Sequence, residues 1–158
     1  MTNVETLKHI LNSNRVIAVV GLSGNWWRPS FFTAKYLQDR GYRIIPVNPN
    51  YSEILGERCF PTVEDIPEEV DVDVVDVFQR SEVTESIARS AVQIGASVLW
   101  LQLGIANEKA ASIARDGGLK VVMNRCMKIE HGRLFGGLNI FGVSTGIISS
   151  RRQKKLDY

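Results

Sequence analysis

The residues best suited to chemistry lie together in one short segment, residues 21–30, which reads GLSGNWWRPS. The segment follows an apolar run typical of a β-strand and precedes a stretch with helical periodicity. The first turn of a helix has backbone N–H groups without internal partners, and the helix dipole favours an anion there. The segment adds side chains that bind phosphate, at Ser23, Arg28 and Ser30. We therefore expect a phosphate-binding loop; the alternative is an ordinary connection between a strand and a helix.

The glycine spacing in this loop argues against the commonest nucleotide-binding motifs. A dinucleotide fingerprint reads G-x-G-x-x-G and has an acidic residue at the end of the second strand. This loop has G-x-x-G followed by Trp26 and Trp27, and the second apolar run ends in Pro-Val-Asn-Pro at 46–49, without a carboxylate. No Gly-Lys-Ser or Gly-Lys-Thr of a Walker loop follows the first run either. Asn48 and the neighbouring prolines are expected to form an uncharged wall beside a nucleotide, or else a plain structural turn.

Residues typical of catalysis do not form a recognisable pattern. The chain has no HExxH, GxSxG or paired-carboxylate motif. His131 follows Glu130 and has no recognisable nucleophilic partner, so we interpret it as a hydrogen-bonded structural residue. We expect binding without turnover, and the sequence leaves an enzymatic role undecided.

Five short apolar runs predict the strands that position the loop, at residues 16–23, 42–49, 70–78, 96–104 and 119–126. Nearly continuous apolar runs are typical of parallel strands covered on both faces. Helical segments separate the runs, another helix opens the chain, and a short helix is expected at residues 51–55. The predicted fold is α/β, a single Rossmann-like, doubly wound parallel sheet of about five strands in the order 3-2-1-4-5. Alternating Val and Asp in the third strand indicate that it lies at an edge of the sheet.

The last part of the chain has a different composition. Residues 132–146 hold five of the 13 glycines, and we divide the chain into a domain at residues 1–134 and an arm with a basic tail at residues 135–158. The apolar residues of the arm predict packing against its own domain or against a second subunit. In the second case a homo-oligomer would form through residues 132–150.

Charge and cysteine content exclude several classes of protein. Lys and Arg outnumber Asp and Glu by 19 to 17, but without the last eight residues the balance is 15 to 16. A nearly neutral body offers no basic surface to a nucleic acid. No apolar run is long enough to span a membrane, and no signal peptide is recognisable, so we expect a cytoplasmic protein. Cys59 and Cys126 form no zinc or disulfide pattern, and no metal is expected.

Several segments together resemble the family of stand-alone CoA-binding proteins, which is similar to the CoA-binding domain of the succinyl-CoA synthetase α subunit. They are IAVVGLS at 17–23, RPS at 28–30, YRIIPVNP at 42–49, ILGE at 54–57, VDVF at 75–78, WLQLG at 100–104, and the run from Arg125-Cys126 to Glu130-His131. The resemblance covers residues 10–134. It implies a Rossmann-like domain that binds coenzyme A through its adenosine phosphates.

The resemblance also implies which residues bind the cofactor. They are Gly21, Ser23, Arg28 and Ser30 in the first loop, Pro46 and Asn48 at the second strand, and Phe78, Arg80 and Gly104 at the third and fourth. The implied function is binding of coenzyme A or an acyl-CoA, non-catalytic by itself; the alternatives are an NAD(P)-linked oxidoreductase and an orphan acyl-CoA ligase subunit. A mixed disulfide between Cys126 and the coenzyme thiol is a weaker hypothesis. Trp26 and Trp27 depart from the smaller or polar residues expected in this loop.

Overall fold

The computed structural model describes residues 3–136, which form five α-helices and seven β-strands. The helices are α1 (Val4–Ser13), α2 (Pro29–Asp39), α3 (Thr84–Gln93), α4 (Glu108–Asp116) and α5 (Met127–Phe135). The strands are β1 (Val16–Val20), β2 (Arg43–Val47), β3 (Glu53–Ile54), β4 (Glu57–Arg58), β5 (Val74–Val77), β6 (Val98–Leu101) and β7 (Lys120–Val122).

The main sheet has five strands, all parallel, in the order β2-β1-β5-β6-β7. The α/β class and the Rossmann-like, five-stranded parallel sheet are therefore confirmed. The predicted order 3-2-1-4-5 is wrong in one respect. The third of the five predicted strands, β5, lies between β1 and β6, so the observed order in the same numbering is 2-1-3-4-5.

Of the three aspartates in the predicted third strand, Asp71 is exposed and precedes β5, whereas Asp73 and Asp76 have protein partners. The Asp73 carboxylate accepts hydrogen bonds from the backbone amides of Arg15 and Val16, both at 2.9 Å, and so joins the starts of β5 and β1. Asp76 is fully buried within β5. Asp73 and Asp76 therefore make internal hydrogen bonds at a central strand, which the sequence pattern alone does not distinguish from an edge.

Each face of the sheet is covered by helices. Buried residues of α1, α2 and α5, among them Leu11, Leu37 and Met127, pack with Trp100 of β6 on one face. Small residues of α3 and α4, such as Ala88 and Ala110, pack on the other. Trp100 has no exposed surface, and its indole N–H donates to the Arg125 carbonyl at 2.8 Å. This arrangement leaves the carboxyl ends of the strands as the open edge of the sheet.

Two local predictions are corrected. Residues 51–55 form no helix, because β3 and β4 make an antiparallel hairpin whose turn places Leu55 and Gly56 at positive φ, a conformation typical of tight hairpins. Phe135, assigned to the start of the arm, is the last residue of α5, and Leu134 before it is buried against the core. The rest of the predicted arm, from residue 137 onward, lies outside the described residues. The oligomer predicted through this segment therefore stays a prediction.

Within residues 3–136 no helix has both the length and the apolar character needed to cross a membrane. The same residues contain no cluster of three or more His, Cys, Asp or Glu side chains arranged to hold a metal ion.

Candidate functional site

The turn after β1 is built on Gly21. Its φ is +87°, and its amide donates to the Val47 carbonyl of β2 at 2.9 Å. A Cβ atom at this position would lie 2.6 Å from the carbonyl oxygen of Phe78, the residue after β5. The Phe78 amide in turn donates to the Val20 carbonyl at 2.8 Å. The ends of β1, β2 and β5 therefore meet at Gly21, and a side chain there would force them apart.

The two serines of the loop brace it from inside. Ser30, on the first turn of α2, accepts a hydrogen bond at its Oγ from the Ser23 amide at 3.0 Å. Ser23 in turn accepts at its Oγ from the Asn25 amide at 3.1 Å. Each hydroxyl keeps its own hydrogen for a further acceptor. The serines thus fix the loop against α2 while remaining potential donors to a ligand.

Other donors of the loop are open. The backbone amides of Gly24, Trp26, Trp27 and Ser30 have no acceptor among residues 3–136. Arg28 immediately precedes α2, is exposed, and its guanidinium has no carboxylate partner in that part of the chain. The first turn of α2 also lacks an acidic residue. Since amides, helix dipole and guanidinium all favour negative charge, this loop is suited to bind an anion at the edge of the sheet.

The loop carries two tryptophans on its surface. Trp26 and Trp27 are 67% and 58% exposed, and their rings meet edge to face at 5.7 Å. Neither tryptophan is therefore buried against the sheet. Their exposed faces remain available for stacking on a ligand or for contact with another subunit.

The two residues predicted from the second strand hold the site together. Asn48 donates from Nδ2 to the Leu22 carbonyl at 3.0 Å and accepts from the Asn50 amide at 2.9 Å. Its amide therefore ties the loop after β2 to the loop after β1. Pro46 is buried inside β2, where it pairs with Val19 of β1. A proline is tolerated there because β2 is the edge strand of the main sheet.

A cleft of about 560 Å³, here called the α5 cleft, opens between α2, α5 and the ends of β5 and β6. Its lining residues are Pro29, Thr33, Phe78, Gln79, Arg80, Gln102, Leu103, Ile105, Cys126 and Ile129. Apolar walls with a few polar groups are typical of small-molecule sites. Phe78 and Arg80, both predicted from the sequence, therefore lie in one cleft beside the start of α2.

A second cleft of about 420 Å³, here called the α3 cleft, lies where β1, β2 and α3 meet. Its lining includes Val20, Val47, Pro49, Thr62 and Ile87. Gln79 lines this cleft as well as the α5 cleft, and its Nε2 would lie 2.9 Å from a Cβ on Gly21. The two clefts therefore adjoin one another at Gln79, directly beside the glycine turn.

The remaining two predicted residues are Arg80 and Gly104. Arg80 is exposed, and its Nε lies 4.0 Å from Oε2 of Glu82, a distance at which a solvated ion pair contributes little. Gly104 has a φ of +87° and donates from its amide to Asn124 Oδ1 at 2.7 Å. It is absent from the lining of either cleft. The structure thus brings Gly21, Ser23, Arg28 and Ser30 together, with Phe78 and Arg80 adjacent and Gly104 further out.

His131 is buried on α5 and takes no part in either cleft. Its Nδ1 lies 3.0 Å from the Tyr36 hydroxyl, and its ring packs edge to face on Tyr36 and Tyr42. Burial, followed by the charges of Arg40 and Arg15, lowers the pKa of His131 to about 4. The predicted hydrogen bonding of His131 is confirmed, and its partner is Tyr36.

Both cysteines are free thiols, and of the two only Cys126 lines the α5 cleft or the α3 cleft. Cys126 immediately precedes α5, and its Sγ lies 3.7 Å from the Thr33 hydroxyl oxygen. Cys59 is buried and donates from Sγ to the Asn48 carbonyl at 3.3 Å, and burial raises its pKa. A disulfide with a ligand thiol therefore stays a prediction for Cys126 alone.

Sequence reasoning missed three residues, Gln79, Gln102 and Asp76. Gln102 follows β6 and lines the α5 cleft, and its Nε2 donates to Asp76 Oδ1 at 2.5 Å. Burial raises the pKa of Asp76 to about 7, against the smaller lowering effect of the Gln102 hydrogen bond. A signal was present, because Gln79 directly follows the predicted strand at 70–78 and Gln102 lies near the end of the predicted strand at 96–104, at the carboxyl edge where ligands bind in such sheets.

A parallel, doubly wound sheet with an anion-attracting loop where the strand order reverses defines a Rossmann-like α/β domain. The sequence model described as the CoA binding domain matches residues 15–132. The chain therefore belongs to the CoA-binding domain family, and the resemblance inferred from the sequence is confirmed.

Known relatives include small proteins and large ligases. The uncharacterized protein YneT of Bacillus subtilis strain 168 is 39% identical over 125 residues, which is 79% of this chain and 91% of that protein. A hypothetical protein from Pyrococcus horikoshii OT3 has a similar solved structure, with 40% identity, a TM-score of 0.82, and coverage of 85% of this chain and 94% of that one. The ADP-forming acetate–CoA ligase II of Archaeoglobus fulgidus is 30% identical over 139 residues, which is 85% of this chain but 19% of the ligase.

Proposed function

We propose that this protein binds coenzyme A or an acyl-CoA across the turn at Gly21 and is non-catalytic by itself. The observation that carries the proposal is the position of Gln79, which borders both the α3 cleft and the α5 cleft beside that turn. A ligand with two dissimilar ends joined by phosphates would occupy both clefts and place its charges at the loop. Coenzyme A has this form, and the family to which the chain belongs supports the assignment.

The chemistry of each part of coenzyme A indicates which part of the site it would occupy. The phosphates would bind at the open amides of the loop and at Arg28, which has no carboxylate partner among residues 3–136. The adenosine would occupy the α3 cleft, where Val47 and Pro49 provide apolar surface. The longer, mostly apolar arm would enter the α5 cleft, past Phe78.

The assignment of binding without turnover is supported by the position of the one late histidine. His131 is buried against Tyr36 and has a lowered pKa, so it is unavailable to a ligand in either cleft. The chain spans 19% of the related ligase, and the reaction of the whole ligase is not carried over to it. We infer a module that holds the coenzyme for a partner or for sensing.

Calorimetric titration of the intact chain tests this function. Coenzyme A and acetyl-CoA are expected to bind, whereas NAD is expected to give no heat, because the end of β2 offers Asn48 in place of an acidic residue. Binding of NAD without binding of coenzyme A would reverse the assignment in favour of an NAD-linked protein. Absence of binding by all three ligands would indicate that the two clefts do not bind a nucleotide.

A further inference from the structure

The floor of the α5 cleft holds a polar pair that the phosphate site does not use. Gln102 lines the cleft although its side chain is almost completely buried, and it donates from Nε2 to Asp76 Oδ1 at 2.5 Å. Asp76 lies fully buried behind it in β5. Leu103, Ile105 and Ile129 give the cleft apolar walls. A hydrogen-bonding group in such surroundings discriminates strongly between ligands that pair with it and ligands that do not.

Asp76 determines which end of the Gln102 amide is presented. Above its pKa of about 7, Asp76 is an ionised carboxylate that only accepts hydrogen bonds, so Gln102 turns its Nε2 toward Asp76 and its Oε1 away. Within residues 3–136, no group donates a hydrogen bond to Gln102 Oε1. In the same residues, Asp76 Oδ2 is the only fully buried side-chain polar atom without a partner, so Gln102 Oε1 is not fully buried. Gln102 Oε1 is therefore accessible from the cleft and acts there as an acceptor.

We propose that Gln102 accepts a hydrogen bond from an N–H or S–H donor on the arm of the bound ligand, and that Asp76 is the positioning residue that orients it. The inference rests on the proposed function, because it takes the arm to be that of coenzyme A, which carries two secondary amides and a terminal thiol. An arm that offers only acceptors would leave the Gln102 oxygen desolvated and unpaired, which is unfavourable.

The test measures how much the arm adds to binding. Calorimetry gives the Kd of coenzyme A and of 3′-phospho-ADP, which keeps the nucleotide and lacks the arm, and the ratio of the two values is the gain due to the arm. The measurement is made at pH 8.5, above the raised pKa of about 7 of Asp76. Gln102→Met keeps the volume of the side chain and removes its acceptor. We expect the gain to fall about tenfold, the equivalent of one hydrogen bond, with binding of 3′-phospho-ADP unchanged.

A matched control is Gln93→Met, at the exposed end of α3 and outside both clefts. It should leave both dissociation constants unchanged. An equal gain in the wild type and in Gln102→Met would overturn the inference and leave the proposed function intact. Failure of both ligands to bind the wild type would overturn the proposed function and the inference together.

Gln102→Met leaves the Asp76 carboxyl without its partner, and this change can prevent folding. The double variant Asp76→Val/Gln102→Met replaces both partners by apolar groups, which avoids a buried unpaired carboxyl. The same tenfold loss of gain is expected in the folded double variant, and full retention of the gain would contradict the inference. S-methyl-CoA distinguishes the two donors in the wild type, because a lost gain assigns the bond to the thiol and a retained gain assigns it to an amide.

Discussion

The missing side chain of Gly21 and the carbonyl of Phe78 occupy the same space: a Cβ on Gly21 would lie 2.6 Å from that oxygen. Phe78 follows β5, and Gly21 follows β1, the neighbouring strand. The contact therefore records how closely two strand ends approach where the order of the sheet reverses. Both clefts depend on that approach, since Phe78 borders one and Gln79 borders both.

The Gly21→Ala substitution should be costly for this reason. The new Cβ would meet backbone that cannot rotate away, and alanine would also adopt a positive φ. We expect the free energy of unfolding to fall by about 2–4 kcal/mol, measured by urea denaturation. Gly41→Ala is the matched control, because Gly41 has a φ of +93° but no atom within 4 Å of the added Cβ. It should cost about 1–2 kcal/mol, and equal losses in the two variants would show that the contact with Phe78 is unimportant.

The buried Asp76 gives the stability of the protein a dependence on pH. Burial raises its pKa from 3.8 to about 7, so the folded state holds this proton at a pH where the unfolded chain has released it. The contribution to stability is complete below about pH 4 and is lost as the pH rises through about 7. Asp76→Asn removes the titration and should therefore gain stability relative to the wild type between pH 4 and pH 8 in urea unfolding.

Asp71→Asn serves as the control for that experiment. Asp71 is exposed and lies five residues before Asp76 in the chain. Its substitution should leave the pH dependence of the wild type intact. A constant difference between the wild type and Asp76→Asn from pH 4 to pH 8 would indicate that Asp76 stays ionised in the folded protein.

His131 should act in the opposite direction. Its pKa is lowered from 6.5 to about 4, so its neutral form supports the fold above pH 6.5, and that support is lost as the pH falls toward 4. His131→Phe should remove this acid loss, at a constant cost from the lost hydrogen bond to Tyr36. His9→Gln, at an exposed position on α1, is the control. In the wild type the two opposing trends should partly cancel, so an acid loss that persists unchanged in His131→Phe would point to another group.

The sequence was sufficient for the class of fold and for the position of the first loop. Apolar runs of strand length, separated by helical segments, specify a parallel sheet, and the edge where its ligand lies follows from that topology. The order of the strands was not predictable in the same way. Asp73 and Asp76 resemble solvent-facing residues in the sequence, whereas their partners, the amides of Arg15 and Val16 and the amide of Gln102, are brought to them by folding.

In the candidate site too, features set by local backbone conformation could be predicted, whereas features set by contacts between distant segments could not. Gly21 is required by its backbone conformation, which is a local property, and its type and position indicate that role. The bracing of Ser23 by Ser30 and the tie from Asn48 to Leu22 depend on how two loops approach one another. Gln79 lies between the clefts because its side chain packs beside Gly21, which follows β1. No spacing rule in one sequence expresses such a relationship.

Arg28 provides the sharpest test of the phosphate site. It precedes α2, is exposed, and has no carboxylate partner among residues 3–136, so its replacement removes charge without breaking an ion pair in that part of the chain. Arg28→Ala should weaken coenzyme A binding by about 1–3 kcal/mol, measured by calorimetry, with the thermal unfolding temperature nearly unchanged. Arg43 is also exposed and is the first residue of β2, at the end of the strand away from the loop, so Arg43→Ala should leave binding unchanged. If both substitutions weaken binding equally, the loss reflects the overall charge of the protein and should disappear at high salt. If neither weakens binding, the phosphates bind elsewhere.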